Sequence, residues 1–247
     1  MHALIIADTD DEDIGCDVLC DLKNVSHMLD RVEEYTNLEL NKMICKGESA
    51  TAFAFLHLTS LDIGPDDVVF FYIASRGYLI DTSLLQQILP YAEFTHEPDV
   101  GANLHSVATV LKEKNPRLLI GIADICSSIV SMDEAPEYVV SLTQKGEEDD
   151  VDHEKIAANY RRLFEESTGS VLVCSASPGQ CAAGDDDVGG FFTYCFLEAI
   201  DIVVQIYEMP TWKTIRGTTL YLMHLNDFLE DQVPYFEVNV SSLTPAK

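Results

Sequence analysis

The chain has 247 residues, enough for one large α/β domain or two small ones; a domain of that size hides roughly three quarters of its unfolded surface without an external staple. With 47% hydrophobic residues the composition is that of a globular protein and excludes a disordered one. A net charge of −27, with only 15 Lys and Arg, excludes nucleic acid as a partner, since phosphate binding needs a clustered positive surface; the charge fits plain solubility or a preference for basic partners.

In chain order, an apolar strand is expected at 2–7, followed by a helix whose core stripe is Val18, Leu22, Val25, Leu29 and Val32. Strands follow at 38–45 and 68–75, then a helix carrying Leu104, Val107, Ala108 and Leu111, and a strand at 118–124. The stretch 126–168 carries few strand signals and one helix near 153–164. A fifth strand at 171–175 leads to a helix with Phe192, Cys195, Phe196, Ala199 and Val203 on one face, and a last strand at 235–240 follows Pro234. Short apolar strands alternating with amphipathic helices predict an α/β fold, a mostly parallel six-stranded sheet with helices on both faces.

The apolar runs are far shorter than the roughly 18 residues a membrane helix needs, and acidic residues follow Ala7 where a secretory leader would stay apolar. Seven cysteines are scattered without C-x-x-C spacing, and Cys16, Cys20, Cys45, Cys174 and Cys195 fall in apolar patterns. Free thiols in a reducing compartment are expected, which places the chain in the cytoplasm with no membrane partner.

Ligands of an open α/β sheet bind beyond the carboxyl ends of the strands. That rule directs attention to Asp8, to 75–78, to 124–128 and to 175–180. The fourth strand runs into Asp124-Ile125-Cys126-Ser127-Ser128, which sets a thiol beside a carboxylate at this edge. Taken alone, a cysteine at a strand end is more often a small core residue.

The third strand ends in Phe71-Tyr72-Ile73-Ala74-Ser75-Arg76-Gly77, which resembles the Y-S-G-H-G segment of caspases and metacaspases; Arg76 stands at the histidine's position, about fifty residues before the cysteine as in that family. Ser175-Ala176-Ser177-Pro178-Gly179-Gln180 is similar to the family's S-A-S-x-x-x-Q, Gly189-Gly190-Phe191-Phe192-Thr193 to its G-x-F-T helix start, and Gln232-Val233-Pro234 to its Q-x-P. The pieces occur in family order and span most of the chain.

The resemblance implies one caspase-like domain over 1–247, with a larger part at about 1–144, a linker region at about 145–168 and a smaller part at about 169–247. It implies Cys126 as nucleophile, with the N–H groups of Gly77 and Cys126 as oxyanion hole. It places Asp124 in the pocket for the side chain before the scissile bond, counts Ser175 among the substrate-binding residues, and sets Asn24 at the position of a second, normally acidic residue on the first helix that selects Arg or Lys. No cofactor is implied, although the acidic runs at 147–152 and 185–187 are of a kind that could take calcium. Lys145 is the candidate processing site, and the last strand the candidate dimer edge.

Thiol peptidases need a base for the thiol and an acid for the departing amine. A permanently charged Arg76 supplies neither, although a guanidinium beside Cys126 would favour its thiolate. The chain is therefore expected to be a weakened or inactive endopeptidase acting on peptides or proteins, or a non-catalytic caspase-like module that binds a partner. A receiver-type signalling domain, suggested by the acidic residues after 3–7, would need an aspartate after the third strand and a lysine after the fifth; Ser75 and Ser177 stand there instead.

Overall fold

The computed structural model describes residues 1–79, 89–126, 152–226, 228 and 232–242. Strand β1 (His2–Ala7) leads through an acidic turn to helix α1 (Gly15–Tyr35), strand β2 (Asn41–Lys46), a short helix α2 (Leu56–Thr59) and strand β3 (Val68–Tyr78). The short strands β4 (Tyr91–Glu93) and β5 (Ala102–Asn103) precede helix α3 (Leu104–Glu113) and strand β6 (Leu118–Ile125). Helix α4 (His153–Phe164), strand β7 (Ser167–Cys174), the two-residue strands β8 (Gly184–Asp185) and β9 (Gly189–Gly190), helices α5 (Phe191–Ile206) and α6 (Trp212–Leu225), and strand β10 (Tyr235–Ser242) complete the chain.

The main sheet runs β10-β7-β6-β3-β1-β2, parallel throughout except for β10. β4 and β5 extend it antiparallel from the far end of β3. Both faces are covered, so its central strands read as unbroken apolar runs, and successive residues serve opposite cores. Val68, Phe70, Tyr72 and Ala74 pack with α1, α4, α5 and α6, whereas Val69, Phe71 and Ile73 pack with α2 and α3. In β6, Leu118, Ile120 and Ile122 join the first core and Leu119, Ala123 and Ile125 the second. The same alternation turns Asp124 toward the first core, and so toward α1 and α5. Gly121 lies where the Phe71 ring crosses β6, and a β-carbon there would run into that ring.

Helix starts are fixed by side-chain oxygens that accept orphan amide hydrogens. Asn103 caps α3 through Ser106 N, Asp152 caps α4 through Lys155 N, and Thr211 caps α6 through Thr214 N.

Five of the six expected strands differ at their ends, β6 by one residue and β10 by two, the other three by more. β7 begins at Ser167, four residues before 171, because the polar stretch to Ser170 is ordered by antiparallel pairing with β10 and not by burial alone. Gly169, at φ 118°, lets the Asn239 carbonyl approach there. β3 continues to Tyr78 because β4 pairs with its end, and β2 is shorter than 38–45. Lys145 and residues 147–151 lie outside the described residues; from 152 to 168 the expected linker holds α4 and the start of β7.

Candidate active site

Parallel registry gathers the strand ends that the sequence singles out. Ala7 pairs with Ala74, Ala74 with Asp124, Ser75 with Ile125, and Ala123 with Cys174. Ser175, fully buried, accepts a hydrogen bond from Ile125 N at 3.1 Å and donates to Ile125 O at 3.4 Å, so it fixes the residue before Cys126. Gln232 then ties two segments together: its Nε2 donates to Ser175 O (3.0 Å), and its Oε1 accepts from Ala183 N (3.1 Å). Val233 N donates to Gln180 Oε1 at 2.9 Å, and Ser177 Oγ donates to Val233 O at 2.7 Å. The sequence segments 175–180 and 232–234 are thus one hydrogen-bonded unit beside Cys126.

Behind Cys126 lies a floor of carboxylates. Asp124 is 6% exposed and Asp21, on α1, 2%. Thr193 Oγ1 donates to Asp124 Oδ2 at 2.5 Å, Tyr72 OH donates to Asp21 Oδ2 at 3.1 Å, and the two hydroxyls are 2.8 Å apart. Gly190 N donates to Asp21 Oδ1 at 3.0 Å. The glycines of the β8–β9 hairpin lie directly on this floor: a β-carbon on Gly184 would stand 2.6 Å from Asp17 Oδ2, and Gly189 and Gly190 are pressed as closely on Asp21 and Asp124. Only bare backbone fits there.

Burial raises the pKa of Asp124, opposed by the hydroxyls of Thr193 and Ser175. Burial, followed by the charge of Asp124, pushes Asp21 well above the usual carboxylate range. Asp17 rises to about 6 through burial, then through its hydrogen bond and charge with Asp186 and the charges of Asp185 and Asp124. Like charges confined together hold protons until a cation replaces them.

Asn24 is not part of this floor. It is exposed and donates to Cys20 Sγ at 3.6 Å. Asp21, almost one turn earlier, is the α1 carboxylate that joins the floor. A signal for it existed: Asp21 falls inside the apolar stripe between Val18 and Val25, where a carboxylate needs a reason to be.

Cys126 donates its thiol proton to Ala182 O at 3.7 Å, the carbonyl of the residue after Cys181. Burial, then Cys181, pushes the thiol up to about 12. The Arg76 guanidinium turns the other way: Nε donates to Asp11 Oδ2 at 2.6 Å, Nη2 to Asp11 Oδ1 at 3.0 Å, and Nη2 also to Asp13. The expected guanidinium-assisted thiolate is therefore replaced by a neutral thiol, because the carboxylates after β1 compete for the cation. Gly77 abuts Cys126: a β-carbon there would stand 2.8 Å from both Cys126 O and Tyr91 O. His96, exposed, pairs with Asp10 at 2.8 Å, which raises its pKa. Among the described residues, the hydrogen-bonding partner found for the thiol is the Ala182 carbonyl, which is no general base.

No protein-family model matches the chain, and no curated protein matches it. Among solved structures it is similar to caspase-1 of Spodoptera frugiperda, with a TM-score of 0.56 at 11% identity, over 98% of this chain and 88% of that one. The fold is caspase-like. In this caspase-like fold the residues expected at the site from sequence converge at one sheet edge, apart from Asn24 and the Arg76 guanidinium. Among the described residues no helix is long and apolar enough to cross a membrane, and no group of three or more His, Cys, Asp or Glu is placed to hold a metal ion.

Proposed function

We propose that this caspase-like domain is a cysteine-peptidase relative that binds a basic side chain of a peptide or protein on the Asp124–Asp21–Asp17 floor and hydrolyses peptide bonds poorly or not at all. The observation that carries this reading is the state of Cys126. Its thiol is bonded to a backbone carbonyl and pushed up to about 12, while Arg76 is bound to Asp11 and Asp13. At neutral pH about one such thiol in 10⁵ is ionised. Absent general acid–base assistance costs a further 10²- to 10⁴-fold or so.

Binding does not share this handicap. A Lys or Arg head about 4 Å from a carboxylate gains about 4 kcal/mol at the effective dielectric of a protein surface, and two or three carboxylates that repel one another are relieved at once. An exposed edge strand, β10, supports pairing of two copies, and seven free cysteines support a cytoplasmic setting; both belong to the same proposal, and solution mass tests the first.

The test compares the chain, Arg76→His and Cys126→Ala on peptides carrying Arg, Lys or Asp before the scissile bond, measuring both cleavage and binding. Binding of the Arg and Lys peptides by all three, with Cys126-dependent cleavage by Arg76→His, is expected. Rapid cleavage by the unmodified chain, or equal binding of the Asp peptide, overturns the reading.

A further inference from the structure

We propose that Cys126 and Cys181 are a reversible dithiol–disulfide pair, oxidised by a peroxide. Neither the peptidase nor the binding reading is needed for this, because it concerns two sulfur atoms and what holds them.

Cys126 follows β6, whose end is clamped by Ser175. Cys181 lies in the segment between β7 and β8, which is fastened on both sides of it. Before it, Gly179 (φ 90°) makes the turn closed by Gln180 N and Ser177 O, and Gln180 Oε1 accepts from Val233 N. After it, Ala183 N is held by Gln232 Oε1. The frame sets the Cys126 thiol on the carbonyl of Ala182, the residue after Cys181, with the Cys181 thiol close enough to act on it. A disulfide sets its two β-carbons about 3.8 Å apart, a geometry open to two neighbouring thiols held in one hydrogen-bonded frame.

Exposure divides the labour between the sulfurs. Cys181 is exposed and Cys126 is not, whereas Cys45, Cys174 and Cys195 are buried. Of the two, Cys181 is therefore the one a peroxide meets first. Its thiolate attacks one peroxide oxygen, the O–O bond breaks, and the products are a sulfenic acid on Cys181 and, for hydrogen peroxide, one water after protonation. The sulfur of Cys126 then attacks the sulfenic sulfur, the S–O bond breaks, hydroxide leaves and takes up the Cys126 proton as a second water. Two thiols lose two electrons and two protons, and one hydrogen peroxide becomes two waters. A dithiol reductant reverses the change by exchange.

The bond would consume the sulfur at the nucleophile's position and fasten the 180–183 segment over the carboxylate floor. It would therefore remove thiol chemistry and peptide access together.

The experiment treats the whole chain with stoichiometric hydrogen peroxide, quenches with an alkylating agent under denaturing conditions, counts free thiols and maps the linked peptides. The expected result is a fall from seven free thiols to five, a single Cys126–Cys181 linked peptide, and full recovery with dithiothreitol. Cys181→Ser should lose the link, leaving Cys126 as a thiol. Loss of thiols as sulfinic or sulfonic acid on Cys181 alone, or a link that involves Cys16 or Cys20 and not Cys126, overturns the proposal. The peptide map of the unsubstituted chain decides this even where a variant fails to fold.

Discussion

Arg76 holds Asp11 through two parallel hydrogen bonds, Nε to Oδ2 at 2.6 Å and Nη2 to Oδ1 at 3.0 Å, and so ties the end of β3 to the turn after β1. The arginine side chain is 47% exposed, so the pair contributes only about 1 kcal/mol or less. Burial pushes the Asp11 carboxyl up, but the bonds from Arg76 and from the amides of Asp13 and Ile14 outweigh it and hold the group below its ordinary value. A depressed carboxylate adds stability above its unfolded pKa and loses it as pH falls through the folded one. Arg76→Ala should therefore lower the melting temperature slightly at pH 7, with the difference shrinking as pH drops below about 4. Thermal melts of both forms from pH 3 to 7 check this.

Asp21→Asn should be more stable than the unsubstituted chain and bind basic peptides less well. An amide keeps an acceptor for Gly190 N and a partner for Tyr72 OH, and it removes a buried charge facing Asp124. Losing one buried partner of a charge pair commonly costs 2 kcal/mol or so, about 30-fold in affinity. Urea unfolding and peptide titration should move in opposite directions; a less stable Asp21→Asn protein would show that the carboxylate charge itself holds the site together.

Asp17 supplies a pH signature. Its folded value of about 6 exceeds the unfolded carboxylate value, so the folded state holds the extra proton. The sign then runs against the usual carboxylate: stability is greatest below the unfolded pKa and declines as pH rises through about 6. Affinity for an Arg or Lys peptide should rise over the same window, approaching tenfold per pH unit where one proton is released. Asp17→Asn should flatten both curves between pH 5 and 7, as followed by peptide titration and thermal melts.

Cys126 should be a slow thiol. With its pKa pushed up to about 12, its thiolate fraction at pH 8 is near 10⁻⁴. Timed labelling with iodoacetamide and peptide mapping should show the exposed Cys16 and Cys181 modified first. Early labelling of Cys126 would mean that the guanidinium reaches it after all.

Much of this was legible in the residues. Unbroken apolar runs such as that in β3 belong to strands covered on both sides, and the alternation from Leu118 to Asp124 already faces that carboxylate toward the first core. Parallel strands of matched length must bring their ends together, which is why Asp124, Cys126, Gly77 and Ser175 meet. Asp21 was concealed because a carboxylate in an apolar helical stripe scores as an exception, and its reason, Tyr72 with Gly190, lies elsewhere in the chain. The direction of the Arg76 side chain was beyond periodicity altogether: it depends on where a turn more than sixty residues earlier puts Asp11 and Asp13. The start of β7 escaped for a related cause, as Ser167 to Ser170 are ordered by the pairing of β10.

The order of strands in the sheet also decides what a backbone break would do. β6 and β7 are neighbours in space, yet the whole stretch from Cys126 to Glu166 lies between them in sequence. A protease nicking the chain at Lys145 would leave two polypeptides, each lending strands to one continuous ladder and side chains to the same two cores. They should migrate as one particle in a native separation and part only under denaturant. Such a nick is expected to leave the ladder joined, because β6 and β7 pair across it.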